Sequence, residues 1–382
     1  MSKNSKRRRD KKKAQKQRIK SKAKSQKKYN DTNKKTCSIE PHILQKIMEH
    51  QRQKAEYARR YGELKEPIIA NFKDYKIVVV GNKVHHDKEW RTFPDFLFDY
   101  LIKKLTPEWG NSELQKPEKD KHQIISLYQK LCLWQEKQPK DSDGIYKAYS
   151  TGTVASYYQL AYDIYALEHH MKLQKEVIAR LKLKNNYQGA RYELTVAATF
   201  IRAGFTIEYE DETDNSIKHP EFIATHKKTG IVVSVEAKSR HRPGIQGHLG
   251  EPKVVVKANI KRILHNALSK PTNYPYLIFI DLNMQPIRGN IFKSDVFTEI
   301  LKTLEKKEDS PEYQDGFPAT ACIFTNYPHH YADDEELDPE KSWLTITTKN
   351  PKFPFPNIDI IHSINTALKQ YGYIPNEFPQ DT

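Results

Sequence analysis

Cysteine is scarce in this 382-residue chain: Cys37, Cys132 and Cys322 stand far apart, and no CxxC pair occurs. That excludes a cysteine-built zinc finger and a disulfide-stapled secreted domain, and it fits a reducing cytosol. No apolar run approaches the roughly 18 residues of a membrane span. The N-terminus is basic but lacks the apolar core of a secretory signal. A soluble, cytoplasmic protein with no membrane partner is therefore expected. No internal repeat is present. No G-x-S-x-G elbow with a positioned base and no glycine-rich phosphate loop occurs, which argues against serine or cysteine nucleophiles and against direct use of ATP. His85-His86, His169-His170 and His329-His330 are adjacent pairs whose side chains diverge, so they read as core or surface residues rather than metal ligands.

Positive charge is what the chain has in excess, and it is unevenly placed. Lys and Arg total 64 against 48 acids, a formal net charge of +16. Residues 1–36 hold 17 of those basic residues with only Asp10 and Asp31, leaving 47 basic against 46 acidic residues in the remainder. A nearly neutral body thus carries a basic arm (residues 1–37), too poor in apolar residues to offset its ordering entropy and expected to be disordered when free. Lys6, Arg7, Arg8, Arg9, Lys11, Lys12 and Lys13 can grip phosphates without reading sequence. A nuclear-import signal and a solubilising tail are the other readings of the same residues.

Hydrophobic periodicity divides the body. Residues 38–185 read as a mostly helical N-terminal domain: helices over 38–70, 93–105 (closed by Pro107 and Gly110), 122–136 and 155–183, with one strand at 76–81. Polar linkers are expected at 111–121 and 137–152. Residues 186–330 change pattern. A helix at 190–203 precedes strands at 206–209, 221–226 and 231–237. A loop with Gly244, Gly247 and Gly250 leads to a helix over 253–269, then a strand 276–281, a helix 294–307 and a strand 319–325. The fold class is α/β with a mixed sheet flanked by helices. The C-terminal extension, 331–382, is expected to wrap the outside with one late helix near 360–371.

The informative residues lie in the first hairpin of that second domain. Side chains alternate along a strand, so Glu236 and Lys238 project from one face. A turn at Lys228-Thr229 pairs residues whose numbers sum to 457, which sets Glu221 opposite Glu236 with Cβ atoms roughly 5 Å apart. Facing carboxylates destabilise a hairpin unless a positive group lies between them, and Mg²⁺, a hard cation, meets that need. A one-residue slip at Gly230 would break the pairing. Glu193 shares a helix face with Val196, Ala197 and Phe200. It either turns toward the same cation or pairs with Arg191 or a nearby lysine. Arg240, His241 and Arg242 follow the strand, and Lys253, Lys257, Lys261 and Arg262 lie on the next helix, as phosphate contacts or as a solvated face.

A helix bearing Glu193, then Pro220-Glu221, then Glu236-Ala237-Lys238 after a β-branched run resembles the PD-(D/E)xK, restriction-endonuclease-like nuclease core over about residues 187–330. The resemblance implies an αβββαβ fold in which Glu221, Glu236 and the Ala237 carbonyl bind Mg²⁺ or Mn²⁺. It implies that Lys238 positions and helps deprotonate the attacking water, with Glu193 as accessory acid. It further implies a hydrolase of nucleic acid, DNA over RNA, serving defence or repair, with Arg240, Lys257 and Lys261 among the contacts. Glu221 stands where the family usually has aspartate, so the alternative is an inactive member that binds nucleic acid or a partner protein. A homo-oligomer is also compatible. Pro94-Asp95 is a decoy, with no D/E-x-K in the next thirty residues.

Overall fold

The structure is a computed structural model and describes residues 41–142, 144–145, 150–210, 219–246, 250, 255, 257–287, 289–327, 329–332 and 342–378. The arm residues Lys6, Arg7, Arg8, Arg9, Lys11, Lys12 and Lys13, together with Gly247 and Lys253, lie outside the described residues. The chain forms two compact units, Met1–Glu56 and Tyr57–Thr382. The described part of the first is helical, with Arg52 paired to Glu49 at 2.9 Å.

Helix α1 (Pro41–Tyr61) stops well short of residue 70. Gly62 follows it at φ +66°, and a Cβ there would meet the Arg202 carbonyl oxygen at 2.5 Å. Only glycine accepts both conditions. The residues expected to prolong the helix instead form β1 (Ile68–Phe72), which joins β2 (Tyr75–Val80) and β3 (Lys83–Asp87) in an antiparallel sheet. The N-terminal part is therefore helical with a small sheet of its own. Helix α2 (Phe93–Leu105) opens on a capping box: the Asp95 N–H donates to Thr92 Oγ1 at 3.3 Å, and the Thr92 N–H donates to Asp95 Oδ2 at 2.8 Å. This is the work of the Pro94-Asp95 pair. Pro107 does not close the region but occupies the first turn of α3 (Pro107–Leu114), where its missing N–H costs nothing.

Helix α4 (Gln123–Glu136) falls where expected. The long helix over 155–183 is two, α5 (Gly152–His170) and α6 (Lys175–Leu181). The break comes where the histidine pair is tied to the segment after α1. His170 Nε2 accepts the Lys65 N–H at 2.8 Å, and His169 Nε2 lies 3.2 Å from the Glu66 carbonyl oxygen.

Helix α7 (Tyr187–Arg202) leads through Gly204 to β4 (Phe205–Tyr209), β5 (Phe222–His226) and β6 (Val232–Ser239). Then come α8 (Lys261–Leu268), β7 (Tyr276–Asp281), α9 (Asp295–Glu308), β8 (Ala321–Asn326), α10 (His329–Ala332), β9 (Ser342–Thr347) and α11 (Asp359–Gln370). The six strands form one mixed sheet in the order β4-β5-β6-β7-β8-β9; β6-β7 and β7-β8 are parallel, the other pairs antiparallel. Strand β9 corrects the expectation that residues past 326 only wrap the outside: the segment closes an edge of the sheet. Helix α8 begins eight residues later than expected. Residues ahead of it are held in an irregular turn, with Asn259 at φ +54°.

The two faces of this sheet are both covered. Val235, Ala237, Leu277, Phe279 and Ile323 pack with α5 and α7. Tyr276, Ile278, Ile280, Cys322 and Phe324 pack with α8 and α9. The alternation places Glu236 and Lys238 on the second face. Among the described residues no helix is long and apolar enough to cross a membrane.

Candidate functional site

The β5–β6 hairpin has the register its turn residues demand. Phe222 pairs with Val235, Ile223 with Ser234, Ala224 with Val233 and Thr225 with Val232. Gly230, at φ +70°, donates its N–H to the His226 carbonyl and closes the turn. Beyond the last ladder pair the Glu221 N–H still donates to the Val235 carbonyl at 2.9 Å. Glu221 is thereby held at the level of Glu236, with no slip.

The two carboxylates share two ammonium groups. Lys238 Nζ lies 2.9 Å from Glu221 Oε1 and 2.6 Å from Glu236 Oε1. Lys270 Nζ lies 2.7 Å from Glu236 Oε2 and 3.4 Å from Glu221 Oε1. Two negative and two positive charges meet here in a partly enclosed space. The Glu236 side chain is fully buried, and that of Lys238 keeps 31 % of its exposure. Burial alone would lower the Lys238 pKa, but the two carboxylates outweigh it and hold the ammonium above its usual range. For Glu236, burial raises the pKa, opposed by Lys238 and reinforced by Glu221. Glu221, more open, is net lowered: burial raises it, and Lys238, Lys270 and Arg180 bring it down.

Lys270 was not legible in the sequence. It lies in the loop between α8 and β7, with no local pattern to separate it from the other basic residues. Tertiary structure delivers it: the Ser269-to-Pro275 loop is anchored by the Ser234 and Thr272 hydroxyls and by the Ser234 N–H donating to the Pro275 carbonyl at 2.9 Å.

Glu193 projects from α7 to Arg180 of α6, with Oε2 and Nη2 2.7 Å apart. Arg180 is a partner beyond those expected for Glu193, which were the cation, Arg191 or a nearby lysine. Arg191 is committed elsewhere, to Asp163 at 2.8 Å in the core. Because Arg180 also acts on Glu221, the acid of α7 is linked to the pair through an arginine. Among the described residues no group of three or more His, Cys, Asp or Glu side chains is placed to hold a metal ion. The Ala237 side chain packs into the core on the opposite face from its neighbours Glu236 and Lys238.

Of the expected phosphate contacts, Arg240 and Lys261 line one groove. Lys257 is exposed outside that lining, and its carbonyl oxygen accepts from Arg242. Arg242 is no surface contact: its buried Nη2 donates to the carbonyls of Lys257, Ala258 and Leu282, each at 3.3 Å. Of the histidine pairs, His169 is buried and stacks on Tyr165, His85, His170, His329 and His330 are partly buried, and His86 is exposed.

A further acid sits on the other face of the sheet. Asp281, at the end of β7, is buried, and desolvation raises its pKa to about 7 against the pull of the Asn283 N–H, the Ser239 hydroxyl, Arg191 and Arg242. The sequence pattern puts Asp281 at the end of a strand, but nothing local in it marks the carboxyl as enclosed. No protein-family model, curated protein or solved structure matches the chain.

Proposed function

We propose that this chain is a metal-dependent phosphodiesterase, a nuclease with a restriction-endonuclease-like core that acts on DNA in preference to RNA. One observation carries the reading: Glu221, Glu236 and Lys238 meet at one end of the β5–β6 hairpin. Its setting supports it further. The hairpin sits in a mixed sheet behind α7, within a helix-strand-strand-strand-helix-strand order that agrees with PD-(D/E)xK nucleases.

The donor set suits Mg²⁺ or Mn²⁺. Glu221 and Glu236 would hold the cation, with the adjacent Ala237 carbonyl as a third oxygen. Bound there, such a cation supplies Lewis acidity and an acidified water. The chain's own residues do the rest. Lys238, held charged by both acids, places positive charge where phosphorane oxygens gain negative charge. By the same resemblance it would also position the attacking water and help to deprotonate it. Arg180, fixed by Glu193, adds to the field on Glu221. Defence against foreign DNA or repair, in the cytoplasm, are the roles such chemistry fits.

A second reading has one observation in its favour: Lys270 already neutralises the acid pair together with Lys238. On that reading the chain keeps the fold and binds nucleic acid or a partner without cutting. Thermal melting with and without metal separates the two. The nuclease reading predicts that Mg²⁺ or Mn²⁺ at about 100 times Kd stabilises the fold by about 2.7 kcal/mol. It also predicts that Lys270→Ala, which removes a competitor for Glu236, tightens metal binding. A melting temperature indifferent to metal in both proteins favours the binding reading.

A further inference from the structure

Outside the acid–lysine cluster, an open, strongly basic groove of about 680 Å³ is lined by Arg240, Asn259, Lys261, Arg262, His265 and Lys307. Four of the six are fixed cations, and no carboxylate lines it among the described residues. A volume of this size falls within the range of pockets that hold whole small ligands. Surface lysines often line a protein for solubility alone, but three features set this groove apart.

The first is its frame. The Glu299 carboxylate on α9 accepts the N–H groups of Ala258 and Asn259, each at 2.8 Å. Arg242 holds the carbonyls of the same turn from the other side. Asn259 stands in this braced turn at φ +54°, in the left-handed region that asparagine accepts more readily than most residues. The turn that presents Lys261 and Arg262 is therefore preset. The second feature is an unmet donor: Arg240 Nε is shielded from solvent and finds no hydrogen-bond acceptor among the described residues. The third is position. Arg240 follows Lys238 by two residues, and α8 and α9 cover the face of the sheet that bears Glu236 and Lys238. Helix α8 has the groove at its start and Lys270 just past its end. Its eight residues span about 12 Å.

We infer that this groove holds backbone phosphates of a single nucleic-acid strand and leads that strand to the acid–lysine cluster. The choice of ligand rests on the phosphodiesterase reading; the groove's capacity for a polyanion does not. Phosphate contacts of this kind position a strand without reading its bases.

The test is binding of a labelled single-stranded oligonucleotide to the full chain in EDTA, followed by fluorescence anisotropy over a salt series. The arm is common to all proteins compared, so its contribution cancels. Combined Lys261→Ala, Arg262→Ala and Lys307→Ala substitution is expected to weaken binding about tenfold or more. It should also lower the slope of log K against log salt by about 2, from roughly 0.7 per lost single-strand contact. Unchanged affinity and slope, in a variant whose melting temperature matches wild type, would overturn the inference. A charge-reversing Lys307→Glu variant provides a second reading, expected to weaken binding further than Lys307→Ala. Inorganic phosphate and a mononucleotide serve as competitors. Displacement only at millimolar concentrations supports a strand, whereas displacement at the oligonucleotide's own concentration makes this a single-anion site and overturns the assignment. Groove-dependent binding without any cleavage by wild type would sink the nuclease reading and leave the groove standing.

Discussion

Glu236 shows how one residue can hold a site in two possible states. A fully buried carboxylate is tolerated only with partners, and here Lys238 and Lys270 supply them. The same enclosure that makes an unpaired acid costly makes a paired one a strong ligand. Asp281 is the contrasting case, a buried acid with hydrogen bonds but without a direct ion pair among the described residues. Its pKa is raised to about 7, so the folded protein retains a proton that the unfolded chain has released once the pH passes the ordinary aspartate range. Its protonated form is compatible with the fold, and the fold loses stability as pH rises from about 4 to about 7. Asp281→Asn removes the charge while the Ser239 hydroxyl can turn to accept from the new amide. The variant should melt close to wild type at pH 4 and progressively above it toward pH 8, by an amount on the order of a few kcal/mol. A difference in melting temperature that stays constant across this range would contradict the account.

At the scale of elements, α5, α7 and the end of α11 are joined by a buried polar clamp. Arg191 of α7 contacts Asp163 of α5 at 2.8 Å, and the Tyr371 hydroxyl donates to the same carboxylate at 2.7 Å. Tyr371 also lies 3.2 Å from Arg191 Nη2. Asp163→Ala strands a buried guanidinium and is expected to cost about 3–5 kcal/mol in urea unfolding. A loss below about 1 kcal/mol would show that the clamp is not needed to join these helices. The elements most legible in the sequence are those whose burial matches a single period. Strand β7 is buried at all six positions and reads as five consecutive apolar residues closed by Asp281, at its observed limits. The β5–β6 register followed from the turn residues because both faces of those strands are constrained. Strand β9 is a partly exposed edge strand, and its Ser-Trp-Leu-Thr-Ile-Thr pattern was obscured by the prolines after it. The α5–α6 break was hidden because apolar spacing continues across residues where the backbone does not. Lys270 and the brace of Glu299 on Ala258 and Asn259 depend on contacts between distant segments, which spacing along the chain does not encode.

For the molecule as a whole, the two sheet faces divide the labour. One face, packed with α5 and α7, carries the larger hydrophobic cluster and holds the α/β body together. The other, packed with α8 and α9, bears the acid pair, its lysines and the basic groove's framework. A nearly neutral body with such a localised field needs no general basicity to attract a polyanion, and the arm's charge adds sequence-independent affinity. The central claim is that Glu221, Glu236 and Lys238 form a metal-dependent phosphodiester-hydrolysing site. Its most direct test is cleavage of supercoiled plasmid and labelled single strands in Mg²⁺, Mn²⁺ or EDTA, with wild type beside Lys238→Ala. The account predicts cutting by wild type that requires metal and falls at least about a hundredfold in the variant. Equal cutting by both proteins, or none by wild type in either metal while binding persists, would contradict it.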